Sequence, residues 1–190
     1  LTRMSESIRP RAIALSTVHT VHRIINSTLN LDELVNRLAH LTAQVLRADR
    51  CSIFLFDPAR ASRPLIEKAK AGYPARLSKV RRARKPGEGA EGRVFSTAKN
   101  IIRKGMICVP LIDEDVIGVI SLTGKKEGGS FDNFDQEILL TLSEEAVIAI
   151  KNAQLYEEQK RVTLGAIHSL AAILGARFAH THKIPTETVL

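Results

Sequence analysis

Between residues 51 and 123 the apolar residues fall into short runs separated by turn residues, and helical spacing is confined to the two ends and one short insert. This pattern constrains the fold more than any other feature, because parallel strands need a crossover of a dozen or more residues between them. Residues 51–56 form a compact apolar run stopped by Asp57 and Pro58, and so read as a buried strand. Residues 65–71 alternate weakly and end at Gly72 and Pro74, a second strand, and residues 80–85 form a third, basic one. Pro86, Gly87 and Gly89 mark a turn, and residues 91–98 a short helix. Residues 106–112 and 116–123 are apolar strands separated only by Asp113, Glu114 and Asp115, which predicts a hairpin. Helices at the ends and strands in the middle give an α+β fold with an antiparallel sheet. Crossover helices between every strand are missing, which argues against a Rossmann fold. The turn at Gly87 and Gly89 lacks a third glycine and follows a charged strand, so it makes a poor dinucleotide loop.

Helical spacing governs both ends. Ala14, Val18, Val21, Ile25 and Leu29 give one apolar stripe over residues 11–29. Leu34, Leu38, Leu41 and Val45 give another over residues 32–47, with Asn30 or Asp32 as its cap. From Asp132 the helical period continues to about Gly175, as one helix or as two broken at Gly165. A helix of that length predicts a coiled coil or a stalk. It carries Leu142, Ala146, Ile150, Ala153 and Tyr156 on one stripe and Leu139, Val147, Ile148 and Leu155 off it. A wetted face of that kind predicts a parallel homodimer through the terminal helices, because soluble monomers avoid large apolar patches. The expected division is a helix at 1–30, a central domain at 31–156 and a linker helix at 157–190.

Charge is concentrated rather than spread. Residues 60–104 hold fourteen Lys or Arg against Glu67, Glu88 and Glu91, a local excess larger than the chain's net +8. Six of those cations lie within residues 76–85. Such a run reads as a solvated strand edge or as a patch for phosphates or nucleic acid. No aromatic is interleaved there, which weakens a single-strand-binding role. At 44% hydrophobic residues the chain has material for a core, so a disordered chain is excluded. Cys51 and Cys108 are too few for a disulfide framework or a cysteine zinc site, and a reducing, cytoplasmic setting is expected. Both lie in apolar strands and read as buried hydrophobes. His19 and His22 offer a metal pair with no third ligand near, where zinc wants three or four. The lack of an initiator methionine makes the chain read as a fragment of a longer protein.

Four motifs in order resemble a GAF domain over roughly residues 15–156. Residues 49–57 resemble the family's first strand, and residues 86–94 the glycine turn that opens its short helix. Residues 106–111 followed by 116–120 resemble its central hairpin, and residues 131–137 the opening of its last helix. The resemblance implies a central antiparallel sheet, helices on both faces and long terminal signalling helices. It implies a small-molecule pocket opposite the terminal helices, lined by Ser52, Phe54, Ala90, Glu91 and Ser121. Ser52 takes the place of the serine that contacts the ligand in cyclic-nucleotide-binding members. Glu91 is unwelcoming to a phosphate, and Ser121 stands where those members carry an acid. The family's lid between residues 101–105 and the next strand is reduced to a couple of residues. The cysteine cluster of the family's methionine-sulfoxide reductase is not reproduced. Residues 176–182 loosely resemble the leading helix of an HD-GYP phosphodiesterase domain, and His168 is a conceivable phosphoacceptor. The function implied is a regulatory small-molecule-sensing module that controls an output domain in cis, with no catalytic site of its own. The alternative is the amino-terminal part of an HD-type phosphodiesterase or of a histidine kinase. The sequence names no cofactor and no metal, and leaves the ligand unidentified.

Overall fold

The computed structural model describes residues 30–78 and 80–181. The expected helix over residues 11–29, with His19 and His22, lies outside them. The chain divides into two units, Leu1–Ala153 and Gln154–Leu190.

The described chain opens with α1, Leu31–Val45, capped by Asn30, whose side-chain oxygen accepts from the Glu33 amide at 2.9 Å. Leu34, Val35, Leu38 and Ala39 are buried on one face, the stripe that the spacing predicts. Three strands and two short elements follow: β1, Ala48–Phe56; β2, Leu65–Ala71; α2, Ala75–Ser78; and β3, Ala83–Arg84. Then come α3, Gly89–Thr97; β4, Ile101–Arg103; β5, Met106–Ile112; and β6, Val116–Lys125. A long helix, α4, covers Asn133–Thr181 and passes Gly165 without a break. Asp132 and Asp135 fix its start by exchanging bonds: the Asp135 amide donates to Asp132 at 2.8 Å and the Asp132 amide to Asp135 at 3.1 Å.

The six strands form one antiparallel sheet in the order β3-β2-β1-β6-β5-β4. Alternation along β1 sorts its side chains. Cys51, Ile53 and Leu55 join the large core beneath α1 and the first part of α4, and Phe54 joins a smaller core under α3 with Leu65, Val94, Cys108 and Val119. Helices therefore cover both faces, as expected. Gly72 ends β2 at φ +76°, and a Cβ there would sit 1.8 Å from the Asp49 carbonyl oxygen. Only glycine lets the chain leave β2 so close to β1.

Two expectations change. The third strand is two residues long rather than six, because Arg82 is drawn onto the Glu67 carboxylate and only Ala83 and Arg84 stay in the ladder. The short connection expected at the lid position is a hairpin in which Arg103 pairs directly with Met106. In the last helix, Leu142, Ala146, Ile150 and Ala153 lie in the domain's own core, as do Leu139 and Val147. Ile150 is wholly buried there, among the domain's own apolar side chains. The large hydrophobics left in water on this helix include Ile148, Leu155, Ile167, Leu170 and Leu174. Among the described residues no helix is long and apolar enough to cross a membrane.

Candidate functional site

The α3 face of the sheet carries the residues that the sequence singles out. Cross-strand pairing lines up Lys70, Ser52, Ser121 and Cys108 in one row over β2, β1, β6 and β5. Glu67, Phe54 and Val119 form the next row. Glu67 and Lys70 are three apart and would face opposite ways in a regular strand. A bulge at Lys68, between the pairs Ile53–Ala69 and Phe54–Glu67, puts both on this face. The same bulge explains the weak alternation of the segment.

Glu67 is the hub. It is wholly buried, and its carboxylate takes four donors. Oε1 accepts from Arg82 Nη2 at 2.6 Å and Nε at 3.1 Å, and Oε2 from the Arg82 amide at 3.1 Å and Lys70 Nζ at 3.0 Å. Burial by itself would raise its pKa; the bonds from Arg82 and Lys70 outweigh that and hold the carboxyl below its ordinary value. The Arg82 amide-to-Glu67 bond is answered by the Glu67 amide donating to the Arg82 carbonyl at 2.8 Å. Arg82 Nη2 also reaches Ser52 Oγ at 2.8 Å and Tyr73 Oη at 2.9 Å, and those two hydroxyls lie 2.9 Å apart. The guanidinium carbon sits 5.5 Å from the Phe54 ring centroid and 5.4 Å from that of Tyr73. Lys70 Nζ, besides Glu67, donates to the Leu77 carbonyl at 2.9 Å and to the Val80 carbonyl.

The short helix supplies the other side. Gly92 lets α3 approach the preceding turn, where a Cβ would lie 2.3 Å from the Lys85 carbonyl oxygen. That approach buries Glu91, which meets Arg84 at 3.8 Å. Phe95 stacks on Phe56 with centroids 5.3 Å apart. Cys108 lies beneath: burial pushes its thiol pKa far up, the charge of Glu91 adds to this, and the Ser121 hydroxyl opposes it. Cys51, in the opposite core, is raised by burial alone. Both are inert structural thiols in this setting.

Ser52, Phe54, Ala90, Glu91 and Ser121 therefore share one face, and all five are at most 9% exposed. Ser52 is engaged by Arg82 and Tyr73 rather than left open. The sequence reading missed Glu67, Lys70, Tyr73 and Arg82. One signal pointed there, the three glutamates isolated among the fourteen cations of residues 60–104; in the structure each pairs with an arginine, Glu67 with Arg82, Glu88 with Arg63 and Glu91 with Arg84. Part of that basic run is thus turned inward, while Arg76 and Arg81 remain exposed. A cleft of about 400 Å³ opens elsewhere, at the end of α1, lined by His40, Arg47, Asp49, Gly72 and Lys126. None of the five implied ligand residues lines it. Among the described residues no group of His, Cys, Asp or Glu is arranged to hold a metal.

A family model described as GAF domain matches residues 30–152. Solved structures agree at the level of the fold. The GAF domain of an Acinetobacter phosphoenolpyruvate-protein phosphotransferase is 20% identical with a TM-score of 0.65, covering 75% of this chain and 95% of that one. A free methionine-R-sulfoxide reductase from Neisseria meningitidis, solved with its substrate, is 15% identical with a TM-score of 0.63, covering 76% and 92%. A GAF domain/HD domain protein from Geobacter sulfurreducens is 14% identical with a TM-score of 0.55, covering 69% and 98%. No curated protein matches the chain.

Proposed function

The chain belongs to the GAF domain family, a family of sensory and regulatory modules, and from that premise we propose that it senses a small molecule and controls an output domain in cis. The ligand acts on the α3 face of the sheet, and α4 carries the response. The observation that supports this most is the convergence of Ser52, Phe54, Glu91 and Ser121 on that one face, around a polar network tied to a wholly buried carboxylate. Buried polar networks of this kind are costly unless fully satisfied. A network reached by a partly exposed arginine is therefore a natural place for a bound molecule to change the balance.

The module carries no catalytic site of its own and works as a parallel homodimer in the cytoplasm. Within Gln154–Leu190, Leu164, Ile167, Ala171 and Leu174 recur at spacings of three, four and three, the pattern of a two-stranded seam. All four are exposed. The test is sedimentation together with native mass spectrometry of freshly purified protein. The expected result is a dimer that Ile167→Glu converts to folded monomers, and a small molecule released on unfolding. A monomer at high micromolar concentration in the unmutated protein, with no retained molecule, would overturn the reading.

A second reading rests on the Geobacter GAF domain/HD domain neighbour. In it, this chain is the regulatory segment ahead of an HD-type phosphodiesterase. A His-Asp pair in the parent sequence past Leu190 supports that reading; a nucleotide-binding kinase domain there supports a histidine kinase with His168 as phosphoacceptor.

A further inference from the structure

The five residues expected to meet a ligand are covered, and what covers Ser52 and Phe54 is the chain's own Arg82. Its guanidinium has the surroundings of a bound organic cation. A wholly buried carboxylate takes Nε and Nη2, two hydroxyls at 2.8 and 2.9 Å take Nη2, and two aromatic rings lie about the charge at 5.4 and 5.5 Å. Acid, hydroxyls and π-faces are the chemistry that recognises guanidinium and ammonium groups. The centre of this cage is the Glu67 carboxylate, which repels an anion at the place the guanidinium occupies.

We propose that this is a self-occupied cation site: Arg82 fills it from within, and the external ligand is a small organic cation, guanidinium- or amine-headed, that takes its place on Glu67, Ser52 and Tyr73. This rests on the sensor reading above and names the ligand class of that site.

Three observations favour replacement over a fixed structural bridge. The Arg82 side chain is one-third exposed, so solvent and solutes reach it. The segment that carries it has only Ala83 and Arg84 in the ladder with β2, its other ties to that strand run through Glu67 and Lys70 themselves, and the Leu77, Val80 and Arg81 side chains lie in water. Arg76, Arg81, Arg82, Arg84 and Lys85 repel one another along that segment, and their repulsion favours release once Glu67 has another partner. Lys70 keeps its own bond to Glu67 at 3.0 Å, so the carboxylate is never left alone during the exchange. Displacement would free the basic segment from the sheet, a two-state change of the kind a sensor needs.

The test is chemical rescue. Arg82→Ala vacates the cage, and methylguanidinium at low millimolar concentration should then stabilise the variant saturably. At about ten times its dissociation constant the probe multiplies the folding equilibrium about elevenfold. Equal concentrations of sodium chloride or sodium acetate should give no such gain, and the double variant Arg82→Ala/Glu67→Gln should lose it. If Arg82→Ala does not fold, the unmutated protein serves: agmatine should speed amide exchange over residues 80–84 while leaving β5 and β6 slow. Absence of saturable rescue in a folded Arg82→Ala, or of faster exchange with agmatine, overturns the proposal. So does a nucleotide or carboxylate found bound, which would leave the sensor reading standing. A dimer that retains no molecule, with rescue intact, would sink the sensor reading and keep the cation cage.

Discussion

Replacing Glu67 by glutamine tests the hub of the α3 face directly. The substitution keeps size and one acceptor oxygen but leaves Arg82 and Lys70 without their counter-charge. Removing one partner of a buried ion pair costs about 3–5 kcal/mol. Two features of the structure place this case at the lower end. The Arg82 side chain is one-third exposed and regains part of its hydration, and Lys70 retains its bonds to the Leu77 and Val80 carbonyls. The expected loss is therefore about 3 kcal/mol, a large share of the roughly 5–15 kcal/mol that holds a domain folded. In a domain of this size that lowers Tm by about 6–12 °C. Urea unfolding followed by circular dichroism at pH 7 measures it. The pH dependence supplies an independent check. Glu67 titrates below its unfolded value of about 4.3 because the bonds from Arg82 and Lys70 outweigh its burial. Its contribution is complete above that pH and is lost as pH falls through the lower folded value. The gap between the unmutated protein and Glu67→Gln should thus close in acid. A loss under about 1 kcal/mol at pH 7, or a gap unchanged down to strongly acidic pH, would refute the reasoning.

Three further outcomes are expected. Cys51 and Cys108 should resist thiol reagents in the folded protein even at mildly alkaline pH, because burial keeps both protonated; rapid labelling under native conditions would contradict their place in the two cores. Gly72→Ala should cost about 2–4 kcal/mol, since alanine is strained at φ +76° and its Cβ would meet the Asp49 carbonyl at 1.8 Å; an unfolding midpoint equal to that of the unmutated protein would show that β1 and β2 separate more easily than their packing implies. Ile150→Glu should destabilise the monomer fold itself, whereas Ile167→Glu should leave its unfolding curve unchanged; equal effects of the two on the monomer would contradict the burial that separates them.

The residues that carry local signals were legible in the sequence. Asn30, one of two cap candidates, caps α1, the apolar run from Cys51 forms β1, the acidic turn at Asp113 closes the β5–β6 hairpin, and the helical spacing past Asp132 becomes α4. Period and turn chemistry act over a few residues, so reading them needs no knowledge of what lies across the sheet. They also sufficed for the α+β class and, with the motif order, for the family.

Which side of the sheet a residue faces, and what it meets there, was decided only by the tertiary structure. The stretch from Val80 to Lys85 has strand-like composition, yet only Ala83 and Arg84 pair, because Arg82 is drawn onto a carboxylate fifteen positions away. Glu67 reaches that arginine because a bulge at Lys68 shifts the alternation of β2, and a bulge exists only relative to the partner strand. The same holds for α4. Ile150 and Ile148 look alike in the sequence, but one is buried and the other half exposed. Spacing identifies an apolar stripe without saying whether a sheet or a second helix covers it. Burial is a property of both surfaces, and the second surface is assembled from residues far along the chain.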